Sequence, residues 1–117
     1  MSNKAARAEV LQGTLDLMVL QTVAVLSPLH GYALADRLQQ ISNGALQLNM
    51  GTLYPALMRL EKRGWLRAKW GFSDNNRRAR FYSLTPAGRE ALESEKAEWH
   101  RTAAIMHALL HDLPERT

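Results

Sequence analysis

The densest chemistry in the chain is cationic. From Arg59 to Arg80, eight basic side chains (Arg59, Lys62, Arg63, Arg67, Lys69, Arg77, Arg78 and Arg80) stand against Glu61 and Asp74, a local net charge of +6. Residues 1–58 are neutral and residues 86–117 carry −2, so the overall +4 has its source in one block. Such a block raises a positive potential over one surface, which attracts polyanions and releases counterions from a phosphate backbone. The same charge has two other uses: an ordinary solvated basic face, or a protein-interaction module that sets the basic block against an acidic partner.

Other chemistries find little support. Zero cysteines exclude disulfides, thiolate metal sites and a cysteine nucleophile. His107 and His111 have the four-residue spacing of a metal-ligand pair on a helix, with Asp112 adjacent, but no convincing third ligand accompanies them. No metal and no cofactor is therefore expected. Ser, His and acidic residues occur without a nucleophile elbow, a Walker loop or a dinucleotide fingerprint, which argues against an enzyme. The apolar stretch Leu15 to Leu29 is interrupted by Asp16 and Gln21 and falls short of the roughly 20 residues a membrane helix needs. The opening Met1-Ser2-Asn3-Lys4 lacks a secretory apolar core, so a cytoplasmic protein with no membrane partner is the expectation.

The 117 residues suit one domain, and the basic block must be positioned by its elements. Between Gly13 and Leu26, apolar residues at Leu15, Met18, Val19, Thr22, Val23 and Leu26 recur every three or four positions, as on a helix with a wide buried stripe. Ser27-Pro28 ends it. A second helix is predicted from about Tyr32 to Ile41, with Leu34, Leu38 and Ile41 facing inward, and Ser42-Asn43-Gly44 closes it. A third begins near Asn49 or Thr52, both good caps, and stops at Gly64. Leu53, Ala56, Leu57 and Leu60 form its inner face, and Pro55 should lie near the start. Pro55, Met58 and Lys62 then point outward, with Thr52, Arg59 and Arg63 on one shoulder and Tyr54 on the other.

The period then changes to two. Leu66, Ala68, Trp70 and Phe72 alternate with Arg67, Lys69 and Gly71, and a return strand runs through Arg78-Ala79-Arg80-Phe81-Tyr82-Ser83 after the turn Ser73-Asp74-Asn75-Asn76. Trp65 and Trp70 are expected to pack under this sheet. Thr85-Pro86 opens a last helix that nothing breaks before about His111. Three helices, a basic hairpin and a helix are the order of a winged helix-turn-helix: mainly α with a small β-hairpin (α+β). The expected organisation is an N-terminal extension at 1–9, a winged-helix domain at 10–85, and a C-terminal dimerisation helix with its tail at 86–117.

At four places the chain resembles the PadR-type transcriptional regulators. The matching text is Leu11-Gln12-Gly13-Thr14-Leu15-Asp16, then Pro28-Leu29-His30-Gly31-Tyr32, then Gly51-Thr52-Leu53-Tyr54-Pro55-Ala56-Leu57 with Arg59-Leu60-Glu61, and finally Arg77-Arg78-Ala79-Arg80-Phe81-Tyr82-Ser83-Leu84-Thr85 with Gly88. The likeness covers about residues 10–90, and the short single helix after Thr85 is similar to the compact subgroup of that family. It implies a repressor that binds a pseudo-palindromic operator in double-stranded DNA as a homodimer and is released by a small-molecule effector. The third helix is then the recognition helix, with Asn49, Thr52, Tyr54, Pro55 and Arg59 at or near the duplex and Arg59 and Lys62 as alternative phosphate anchors. Hydroxyls of Thr52 and Tyr54 suit phosphates, and Tyr54 and Pro55 offer apolar edges to thymine methyls.

In the hairpin, Lys69, Arg77, Arg78 and Arg80 are candidates for backbone contact, with Asn75 and Asn76 at the tip. Arg78 and Arg80 share a face with Tyr82, so pairing with Glu61 or the last helix is their alternative use. Leu92, Trp99, Met106 and Leu113 recur every seven residues, and Ala103, Leu109 and Leu110 widen the stripe, a seam suited to a second helix. Packing against the first helix is the alternative. Trp99, with Met18 and Met106, is the candidate contact for an aromatic or hydrophobic effector, against plain roles in the interface or core. His30 reads as a turn or capping residue.

Overall fold

The computed structural model describes the backbone of residues 3–112 and the side chains of residues 13–111. Four helices, α1 (Asn3–Leu26), α2 (Gly31–Ile41), α3 (Met50–Lys62) and α4 (Pro86–His107), surround a three-stranded antiparallel sheet of β1 (Leu29–His30), β2 (Leu66–Phe72) and β3 (Arg78–Leu84). A π-helical turn, Ala108–Asp112, continues α4. The strand order is β1-β3-β2, so the hairpin anticipated from the period-two pattern gains a short third strand. Two residues carry too little pattern to announce a strand; only the tertiary placement of Leu29 opposite Tyr82 and His30 opposite Phe81 creates it. The expected boundary at residue 10 falls inside α1, which begins at Asn3.

Helix starts follow local chemistry. His30 is in extended backbone and its Nδ1 accepts from the amide of Ala33 at 3.2 Å, capping α2. Asn49, not Thr52, caps α3: its Oδ1 accepts from the Thr52 amide at 3.0 Å. Pro55 therefore sits in the second turn, later than expected, and removes one ladder donor there. At the other end of α3, Gly64 takes φ +82°, and the amides of Gly64 and Trp65 donate to the carbonyls of Glu61 and Leu60. This double closure needs a left-handed residue, which glycine adopts without a Cβ penalty.

The core joins Leu15, Val19, Leu20 and Val23 of α1 to Leu34 and Leu38 of α2, Leu53, Ala56, Leu57 and Leu60 of α3, Leu66 and Tyr82 of the sheet, and Leu92 of α4. Met18 and Trp65 pack against its edge. Ile41, read as core, is exposed, because the last turn of α2 runs past the other helices. Leu92 corrects a second expectation: at 2% exposure it belongs to the protomer's own core and not to a seam between copies.

Helix α4 leaves the sheet at a close backbone approach. Thr85 donates its amide to the Trp65 carbonyl and its hydroxyl to the Gly64 carbonyl, and its Oγ1 accepts from the Gly88 amide at 2.9 Å. A Cβ on Gly88 would lie 2.1 Å from the Trp65 carbonyl oxygen. Backbone cannot yield as a flexible side chain can. Gly88→Ala is expected to lower stability by about 3 kcal/mol, in the range of overpacked sites, and the unfolding midpoint by roughly 10 °C. Thermal denaturation followed by circular dichroism checks this.

Candidate nucleic-acid interface

The exposed side of α3 is formed by Gly51, Tyr54, Pro55, Met58 and Lys62, one helical face left over once Leu53, Ala56, Leu57 and Leu60 turn inward. Thr52 is half-buried beside it, and Asn49 uses its side-chain oxygen for the cap. This face therefore offers apolar and aromatic edges with one free ammonium.

The hairpin has two unlike faces. Register pairs Ala68 with Tyr82, Trp70 with Arg80 and Phe72 with Arg78, so these six share one side; Arg67 with Ser83, Lys69 with Phe81 and Gly71 with Ala79 share the other. On the first side Tyr82 is fully buried and anchors the base. Trp70 does not pack under the sheet as expected: it is 56% exposed, because the hairpin projects beyond the helices that cover Leu66 and Ala68. Its ring instead carries the Arg78 guanidinium at 4.5 Å and the Arg80 guanidinium at 6.0 Å, a stack that holds two long cations in place. Lys69 lies on the opposite side from Arg78 and Arg80. At the tip, Asn76 is left-handed at φ +59°, and its amide donates to the Ser73 carbonyl at 2.8 Å. Asn75, Asn76 and Arg77 are exposed there.

Hairpin and helix are tied together by charge. Arg80 donates to Glu61 of α3 at 2.8 Å, the alternative pairing that alternation allowed for. Burial works against the Arg80 charge, but Glu61, with Tyr54 and Tyr82 beside it, outweighs that and holds the guanidinium above its ordinary range. Burial likewise pushes the Tyr82 phenol up, and the Arg80 charge offsets it only in part. A cleft of about 210 Å³ separates the two elements, walled by Tyr54, Leu57, Trp70, Arg78 and Arg80. On its outer side Pro55, Met58, Glu61, Lys62 and Arg80 line one open groove.

Arg59 is not the free phosphate anchor that the helical wheel suggested. Its guanidinium donates to Asp16 of α1 at 2.8 Å, and Arg63 approaches the other oxygen of the same carboxylate at 3.9 Å. Sequence spacing could not reveal this, since 43 positions separate Asp16 from Arg59. Among the described residues, Lys62, Arg67, Lys69, Arg77 and Arg78 have no carboxylate within ion-pair distance and are exposed.

Along α4 the predicted stripe is solvent-facing beyond Leu92. Trp99 is 49% exposed, Ile105, Met106, Leu109 and Leu110 are exposed, and Ala103 is half-buried. Leu113 lies outside the described residues. Met18, on α1, packs against the edge of the core. The rings of His107 and His111 lie 4.5 Å apart, and no group of three metal-ligating side chains occurs among the described residues. No helix among the described residues is long and apolar enough to cross a membrane.

Comparison with known proteins adds a family pattern. Residues 19–94 match the model of the transcriptional regulator PadR-like family. The chain is similar to an uncharacterized protein X of Lysinibacillus sphaericus, 24% identical over 107 residues that cover 92% of this chain and 97% of that one. It is also similar to transcriptional regulator Rv3488 of Mycobacterium tuberculosis, 41% identical over 58 residues, 50% of this chain and 53% of the relative. Among solved structures, a PadR family transcriptional regulator from Eggerthella lenta superposes with a TM-score of 0.74 at 29% identity, covering 92% of this chain and 91% of that one. A PadR-like transcriptional regulator from Bacillus cereus shares the fold, with a TM-score of 0.76 at 24% identity over 88% of this chain and 97% of its own.

Proposed function

Since the chain belongs to the PadR-like family of transcriptional regulators, whose members are regulators and not enzymes, we propose that it is a homodimeric, sequence-specific DNA-binding repressor. The observation that carries this reading is the joint surface of α3 and the hairpin. An exposed helix face of Tyr54, Pro55, Met58 and Lys62 adjoins a projecting strand pair whose Arg78 is stacked and unpaired, and the Arg80–Glu61 contact sets the angle between them. A short helix of this kind fits a major groove about 12 Å wide, while the hairpin reaches the flanking phosphates. Tyr54 and Pro55 meet thymine methyls, Thr52 lies at the edge, and Lys62, Arg77 and Arg78 meet phosphates, with Asn75 and Asn76 at the hairpin tip.

One such module reads few base pairs. The stripe of Trp99, Met106, Leu109 and Leu110, with half-buried Ala103, runs along α4 and the π-helical turn that continues it, and contiguous apolar exposure of this kind marks an interaction surface; a second copy of α4 covers it. Two-fold pairing presents two recognition helices to half-sites about one helical turn apart, roughly 34 Å. Near that axis Trp99 and Met106 form an apolar site for a small aromatic or hydrophobic effector. The effector releases DNA by favouring a spacing of the recognition helices that the operator does not match.

Fluorescence anisotropy on a duplex from the protein's own promoter and on a random duplex, over a salt series, tests the reading. Affinity should fall with salt by a log–log slope of about 0.9 per phosphate contacted and should favour the promoter. A flat salt response, with binding to an acidic protein instead, would make the basic hairpin a protein-docking surface.

A further inference from the structure

Asp16 is the charged side chain that the core admits among the described residues, at 8% exposure, and burying a carboxylate requires partners. Its partners are Arg59 of α3, at 2.8 Å on one oxygen, and Arg63, the residue that caps the C-terminal end of α3, at 3.9 Å on the other. Arg63 also lies 5.2 Å from the centre of the Trp65 ring, so it is held from two directions. Arg59 in the last turn of α3 and Arg63 at its C-cap, four residues apart, stand on the shoulder that adjoins α1, beside the face that carries Lys62.

We infer that Asp16 withholds Arg59 and Arg63 from the phosphate backbone and thereby sets the ratio of specific to non-specific DNA binding. The inference rests on the DNA-binding reading above. Phosphate contacts add affinity for every sequence alike, whereas base contacts discriminate. Two more free guanidinia on the recognition helix would strengthen attachment to any duplex and would leave the base-reading edge of Tyr54 and Pro55 unchanged. A buried carboxylate on a neighbouring helix cancels one of their two charges, pairing closely with Arg59 and drawing Arg63 toward it, and fixes the roll of α3 about its axis. Glu61 does the same for Arg80. Of the eight cations between Arg59 and Arg80, three thus face a carboxylate of the protein itself, and selectivity depends on which three.

The test uses the full chain and a short random duplex between about 50 and 200 mM salt. Asp16→Asn should steepen the log–log salt slope by about 0.9 for each arginine released per protomer, raise affinity for random duplex about tenfold near the low-salt end, and lower the promoter-to-random ratio. An unchanged or shallower slope in folded D16N would overturn the inference and leave Asp16 as a tie between helices. Because D16N can fail to fold, a second variant removes the whole cluster: D16N/R59Q/R63Q should keep the slope of the unaltered protein. A slope shallower by about 0.9 per arginine removed would mean that Arg59 and Arg63 already touch phosphates, and would also overturn it. If the unaltered protein shows no salt-dependent duplex binding, the DNA reading fails and this inference with it. That outcome is distinguishable because it precedes any substitution.

Discussion

Protein carrying Met106→Glu and Leu109→Glu together should sediment as a monomer and lose at least about 100-fold in affinity for its promoter, while its unfolding midpoint moves little. In the proposed dimer the second half-site is engaged intramolecularly, so the expected loss is large. Linking two modules multiplies affinity by about 10²–10⁴ through effective concentration alone, and separating them removes that factor. The fold should survive because neither side chain belongs to the protomer's core: Met106 is exposed near the end of α4 and Leu109 on the π-helical turn that continues it. Two glutamates facing their own symmetry mates add like-charge repulsion to the lost apolar burial. Leu92→Ala supplies the contrast. It removes a core side chain, so it should destabilise by about 2–5 kcal/mol without acting first on association. Analytical ultracentrifugation beside thermal melts separates the two; a dimeric M106E/L109E protein would move the partner surface elsewhere.

The second large effect belongs to the unpaired cations. Lys62→Gln, Arg77→Gln and Arg78→Gln combined should make the salt slope shallower by about 0.9 for each phosphate no longer engaged and weaken binding to promoter and random duplex by similar factors, since phosphate contacts carry no sequence information. A drop of at least about 100-fold near 0.1 M salt follows if all three reach phosphates in both protomers. The paired replacement Arg67→Gln with Lys69→Gln removes two formal charges, against three in the triple, from the opposite side of the hairpin. It should change binding far less. Equal effects of the two variants would mean that charge in bulk governs attachment, and not the face shared by α3 and the Trp70–Arg78 stack. Arg80 is left out of the triple because its 2.8 Å contact with Glu61 joins the two reading elements, so its loss would mix geometry with charge.

The contrast between these variants marks the boundary between local and long-range information. Thr85 before Pro86, His30 before Gly31 and the Gly64 stop are instructions a few residues long, and each operates as read. The period-two run from Leu66 correctly located β2 and β3, and register followed from the turn at Ser73–Arg77. Where the pattern misled, a distant segment decided. Trp70 satisfies the alternation of a buried strand face, yet no helix extends far enough to cover it. Leu92 satisfies the seven-residue repeat of an exposed seam, yet the close approach at Gly88 brings it onto the core.

From its order of residues alone, this chain determined its four helices and the hairpin, the caps at His30 and Thr85, the inward face of α3 and the concentration of positive charge on α3 and the hairpin, because propensity, capping and periodicity act over a few positions. Tertiary structure alone decided which of those charges are available. Asp16 meets Arg59 across 43 positions and Glu61 meets Arg80 across 19, and an ion pair depends on where two helices or a helix and a strand pass each other. Charge can be counted along a chain, but its neutralisation is set by packing.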